Sequence, residues 1–131
     1  MLDRIIIVFV TVLATLAIAG CSSVKVANKF NGQNISRSGT PVANIVSSNY
    51  GCYFVSWLPI VTGNSKDSSS WHLFEDTVTV DGAHSALIKK SSELGATKTV
   101  DVRSEEKWSA DPITGCLLWT KEVEVSGNAV K

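Results

Sequence analysis

The chain has 131 residues, enough for one domain but not for a second hydrophobic core. Lys plus Arg equals Asp plus Glu at twelve each, and no basic cluster is larger than Lys89-Lys90, which excludes the charge excess that nucleic-acid binding draws on. An apolar content of 44% against 18% charged residues excludes a disordered polyelectrolyte.

Residues 5–19 are apolar except for Thr11 and Thr15, after a short polar start that carries Asp3 and Arg4. A helix rising about 1.5 Å per residue needs roughly twenty apolar residues to cross a bilayer, so this run has the length of a signal-peptide core. Ile18-Ala19-Gly20-Cys21 follows it. That tetrapeptide resembles the lipobox of bacterial prolipoproteins, an aliphatic residue and two small ones before a cysteine. The resemblance implies removal of residues 1–20, a lipid thioether on Cys21 and acylation of the new amino terminus. Three acyl chains at about 0.8 kcal/mol per buried CH₂ make the membrane a permanent partner. In two-membrane bacteria an Asp after the cysteine retains a lipoprotein at the inner membrane. Ser22-Ser23 here implies the outer membrane, facing the periplasm.

Residues 22–40 are rich in Asn, Ser, Gly and Lys and read as a tether, with an r.m.s. span near 25 Å for about twenty flexible residues. Val24, Val26 and the turn dipeptide Asn31-Gly32 leave open a loose hairpin over 24–36. The globular domain is placed at 41–131.

Residues 42–48 and 52–57 read as two strands with a bulge or bend at Gly51. Pro59 is expected to end the second, since it cannot donate to a ladder, and a polar loop follows from Thr62. Trp71 to Phe74 is short and ambiguous. Asp81 looks like a helix N-cap and Gly95 like the left-handed residue that stops the helix, giving an amphipathic helix over about 81–94 with Val80, Ala83, Leu87 and Leu94 on its dry side. Thr97 to Arg103 alternates as a half-buried strand, residues 104–112 read as a polar loop, and Leu117 to Val125 alternates again before a short extension at Ala129-Val130. The fold class is α+β, a mostly antiparallel sheet covered on one face by a single helix. The pattern of Leu94-Gly95-Ala96, residues 100–103 and Val123-Glu124-Val125-Ser126-Gly127 is similar to the Rcs stress-sensor lipoprotein and the YbjQ-type domains. That similarity implies the same α+β plan and no catalytic motif.

With Cys21 lipidated, Cys52 and Cys116 form an even pair in a compartment that permits disulfides. Bonding them would close a loop of about 64 residues and stabilise the fold by about 4 kcal/mol on the chain-entropy model. Two separate thiols or a metal site are the alternatives. A metal would recruit His72, His84, Glu75 and Asp76, but neither histidine belongs to a His-x₃-His pair, so no metal or other cofactor is assigned. Glu105-Glu106 are neighbours in an extended segment and point to opposite faces, so they do not converge on one bond. No nucleophile elbow, phosphate-binding glycine loop or zinc-protease motif is present. An enzyme is therefore not expected.

Residues 53–61, Tyr-Phe-Val-Ser-Trp-Leu-Pro-Ile-Val, do not alternate as a strand with one wet face should. Both faces of this run are expected to be covered, by the domain itself or by something else. Trp57, Leu58, Ile60 and the nearby Trp71 are the candidate interaction surface, because aromatic residues dominate interface hot spots. The expected function is a noncatalytic envelope lipoprotein that binds another envelope component through this Trp-rich surface. A small periplasmic ligand or metal binder is the alternative, and an enzyme of unrecognised type the third.

Overall fold

A computed structural model describes residues 22–27, 39–64, 70–112 and 115–131. The signal segment, Cys21 and the Asn31-Gly32 turn lie outside them. Among the described residues six strands and one helix follow in the order β1 (Ser22–Ala27), β2 (Pro41–Phe54), β3 (Leu58–Gly63), β4 (Trp71–Leu73), α1 (Val80–Glu93), β5 (Lys98–Ala110) and β6 (Leu118–Val130). All strand pairs are antiparallel and form one sheet in the order β4-β3-β2-β6-β5. The edge of β2 opposite β6 is shared end to end: β1 takes residues 44–49 and β3 takes residues 51–54. This is the α+β plan read from the sequence, one helix on an antiparallel sheet.

Alternation along β2 and β6 divides the sheet into two faces. Ala43, Ile45 and Tyr53 on β2, and Val123, Val125 and Ala129 on β6, are buried together with Val78 and with Ala83 and Leu87 of α1. Ala83, Leu87 and Ser91 lie four residues apart and form the buried stripe of the helix, while Val80, expected on that stripe, is exposed. Gly127 of β6 has no side chain where Leu87 comes down: a Cβ there would lie 3.6 Å from Leu87 Cδ1 and 2.9 Å from Thr99 Cγ2.

The helix begins two residues earlier than Asp81 implied. Thr79 is the N-cap, accepting the Gly82 N–H on its hydroxyl at 3.1 Å, and Asp81 lies in the first turn, where a carboxylate favours the positive end of the helix. At the other end Gly95 has φ +75°, its N–H donates to Ser92 O at 2.9 Å, and the Ala96 N–H donates to Ser91 O at 3.2 Å. This Schellman stop matches the role read for Gly95.

Four strand boundaries differ from expectation. The chain is in the sheet from Ser22, so residues 22–27 are not tether: Val24 packs on the core and β1 pairs residue by residue with β2. β2 runs through Gly51 unbroken, since the missing side chain admits Val78, Thr62 and Tyr53, each within 3.0 Å of where a Cβ would sit. Pro59 does not end a strand but lies inside β3, paired with Tyr53 beside a bulge that shifts the register between Cys52 and Tyr53, and a bulge is one of the places where a sheet accommodates proline. β5 continues from 104 to 110, where a polar loop was expected. It is an edge strand exposed on both sides, so nothing in its environment demands alternation, and its charges protect the edge.

Candidate functional site

Residues 53–61 form a strand end, a turn and a second strand, which explains why they do not alternate. Tyr53 goes into the core at 1% exposure. Val55, Ser56 and Trp57 then make the β2–β3 turn, with Trp57 N–H pointing back to Phe54 O. Phe54 faces Leu58 across the hairpin and Leu118 across β6, and the Val55 N–H donates to Leu117 O at 2.8 Å. Trp57 is 72% exposed, and Phe54, Val55, Leu58 and Leu117 are exposed with it. The run is thus not covered on both faces, as its composition implied; its tip stays wet.

The tip is also strained. Val55 has φ +50° and Ser56 φ +62°, so two side-chain-bearing residues occupy the left-handed region where hairpin turns normally carry Asn or Gly. A β-branched residue there is disfavoured by about 1–2 kcal/mol. Strain of this kind persists where the displayed side chain matters or where surrounding structure enforces it.

The four residues of the expected surface do not form a single patch. Trp57 and Leu58 lie at the tip, Ile60 is half-buried at the bulge, and Trp71 is on β4 opposite Gly63, the far end of β3. Six residues of strand separate Trp57 from Trp71, roughly 20 Å at about 3.3 Å per residue. Leu58, Phe54, Cys52, Val61, Leu73 and Trp71 nevertheless share the sheet face away from α1, by register and alternation. Phe54, Val55 and Leu117 were not singled out in the sequence, because their exposure depends on where a turn falls.

On the helix side, beyond the end of α1, a polar network joins three distant segments. The Tyr53 hydroxyl donates to Asp76 Oδ1 at 2.6 Å, and the same oxygen accepts the Val78 N–H at 3.1 Å. The Trp108 ring lies 5.1 Å from that of Tyr53, and its indole N–H donates to Glu106 Oε1 at 2.7 Å. Lys121 Nζ sits 3.9 Å from Asp76, 3.8 Å from Glu106 and 5.3 Å from the Trp108 centroid. Burial and the Asp76 acceptor push the Tyr53 phenol far above its usual range. Each polar group has a partner, so the network reads as a clasp on β5 and β6. Asp76 lies 23 residues from Tyr53 in the chain, and Trp108 and Lys121 further still, an order that no local motif marks.

An open polar cleft of about 430 Å³ lies between β4 and the start of α1, lined by Asn64, His72, Glu75, Thr77, Thr79, Asp81, Gly82 and Ser85. His72 Nδ1 is 3.1 Å from Glu75 Oε2. His84 is on α1 and does not line the cleft, and Asp76 is turned to Tyr53. Among the described residues no three His, Cys, Asp or Glu side chains are placed to hold a metal ion. Glu105 and Glu106 leave β5 on opposite faces, toward Lys107 and Lys121 respectively. Cys52 and Cys116 are free thiols here, the first buried and the second exposed; burial, then Asp111, push the Cys52 thiol up.

Fold and surface together define a single-sheet α+β domain with an aromatic, strained hairpin tip. Compared with protein families, characterised proteins and solved structures, the chain matches none. Among the described residues no helix is long and apolar enough to cross a membrane.

Proposed function

We propose that the chain is the precursor of a noncatalytic cell-envelope lipoprotein, anchored through Cys21 at the outer membrane and binding another envelope protein through the β2–β3 hairpin tip. The observation that carries the binding half is the exposure of Trp57 together with Phe54, Val55, Leu58 and Leu117, on a turn whose backbone is strained by Val55. Leaving such a set in water is costly, and a complementary protein surface recovers that cost by burying it. The anchor half rests on the Ile18-Ala19-Gly20-Cys21 motif and the short apolar run before it.

The test is a photo-crosslinking amino acid placed at Trp57 in intact cells, with Glu105 on the charged edge strand as the control position. A discrete adduct from position 57 and none from position 105 supports the reading. Equal, diffuse labelling from both would remove it. The polar cleft at His72 and Glu75 favours a second reading, a small polar ligand, and an adduct-free Trp57 combined with ligand-induced shifts at Ser85 and Thr79 would move the assignment there.

A further inference from the structure

If the chain is anchored at Cys21, the anchor enters the domain at a corner of the sheet that carries its own aromatic group. β1 starts at Ser22, one residue after the cysteine, and Cα atoms of neighbours in the chain are about 3.8 Å apart. Ser22 is paired with Asn49 of β2 and its hydroxyl donates to Asn64 O. Asn64 is tied in turn to Ser70, through its N–H to Ser70 O at 3.1 Å and its amide to Ser70 Oγ at 2.8 Å, and Trp71 is the next residue. Because β1 is held by a six-residue ladder, the domain cannot drift away from its first residue as it would on a flexible leash.

At that corner β4 is the last strand of the sheet. Trp71 and Leu73 point to the face away from α1, with 49% and 51% exposure, and Phe74 follows at 70%. Indoles settle at the headgroup level of a bilayer, where the ring is dry and the N–H finds acceptors. Trp108 and Trp119 donate theirs to Glu106 and to Cys116 O, whereas among the described residues no acceptor takes the indole N–H of Trp71 or of Trp57, and of these two only Trp71 lies beside the anchored end of β1.

We infer that Trp71 and Leu73 form a second, non-covalent contact with the lipid surface, so that the domain is docked on the bilayer by the β4 corner beside its anchor, with the Trp57 tip at the other end of β3. This rests on the lipid-anchor reading of Cys21 and deepens it: the partner of this patch is the acyl and headgroup boundary, and the tip some 20 Å along β3 is left for a protein.

The experiment uses the mature lipidated chain in vesicles of phosphatidylethanolamine and phosphatidylglycerol, part of whose acyl chains are brominated, with flotation and tryptophan emission read together. The chain floats, brominated lipid quenches its emission, and Trp71→Phe removes about half or more of that quenching while Trp57→Phe leaves it unchanged. A floating chain whose quenching is absent, or is lost on Trp57→Phe instead, overturns the docked corner and leaves the anchor standing. A chain that does not float overturns the anchor and the docked corner together. Both substitutions are at exposed sites, and an unchanged circular dichroism spectrum verifies that each variant is folded.

Discussion

The two faces of the sheet use the same strands for different ends. On the face under α1, Ala43, Ile45, Tyr53, Val123, Val125 and Ala129 are all essentially inaccessible. On the opposite face the same strands carry Asn44, Val46, Tyr50, Glu122, Glu124, Ser126 and Asn128, which are half-buried, while Ser48, Cys52 and Val61 are buried there, and its exposed apolar residues gather at β4 and the hairpin tip. The difference teaches that stability comes chiefly from the face under α1, while the apolar residues that stay exposed on the open one, Phe54, Leu58, Trp71 and Leu73, are free to serve contact with something outside the chain.

The sharpest way to break that comparison is to truncate one leucine on each face. Leu87→Ala removes the residue that fills the space over Gly127 and is expected to cost about 2–5 kcal/mol in urea unfolding. Leu73→Ala on the open face is expected to change stability by about 0.5 kcal/mol or less, as exposed positions do. Equal losses would show that the open face is covered after all.

Next in size is the clasp. Asp76→Ala takes the acceptor from the Tyr53 hydroxyl and the Val78 N–H together and leaves Lys121 with Glu106 alone, for an expected loss of about 1–3 kcal/mol. Restoring an acceptor with Asp76→Asn should recover part of it. A variant as stable as the parent would mean that the network is solvated surface.

The hairpin tip should respond in the other direction. Replacing Val55-Ser56 by Asn-Gly suits both left-handed positions, and is expected to raise stability by about 1 kcal/mol or more while weakening crosslinking from Trp57. A gain in stability with undiminished crosslinking would say that Val55 is not part of the contact surface.

How far the sequence reached follows from these residues. The helix was legible because its stripe and its Gly95 stop are local signals, and β6 because Val123 and Val125 face a core. Thr79 does not stand out as N-cap in the sequence because Asp81, two residues later, is an equally good capping type, and only the extended backbone at Thr79 separates them. The second half of β5 is not legible in the sequence, because an edge strand wet on both sides carries no hydrophobic period. The site was half legible. The excess of apolar residues over 53–61 marked the right segment, but whether it is covered or displayed depends on the turn at Val55, a backbone feature that a valine does not advertise. Asp76, Trp108 and Lys121 meet only through the tertiary fold.

Alkaline pH gives a smaller effect. Tyr53, Tyr50 and Cys52 are all raised: the first and third chiefly by burial, Tyr50 chiefly by its hydrogen bond with Glu122. The folded state therefore favours their neutral forms. The unfolded chain gives up these protons first, near the ordinary values of 9.0 for the thiol and 10.0 for the phenols, so their stabilisation is whole below about pH 9 and falls as pH rises beyond it. Unfolding midpoints measured from pH 8 to pH 11 should decline, and a flat profile would place these groups in water. The smallest effect is chemical: a thiol reagent should label Cys116 at once and Cys52 only on unfolding, whereas a chain with neither thiol reactive holds the Cys52–Cys116 bond instead.

Partner and docked corner alike presuppose that the protein is fastened to lipid at its first mature residue. Intact mass of the protein extracted from its own membranes decides this most directly. The account predicts residues 21–131 with a diacylglyceryl thioether and a third acyl chain on Cys21; a bare cysteine there, or a chain that still carries its leader, would contradict it.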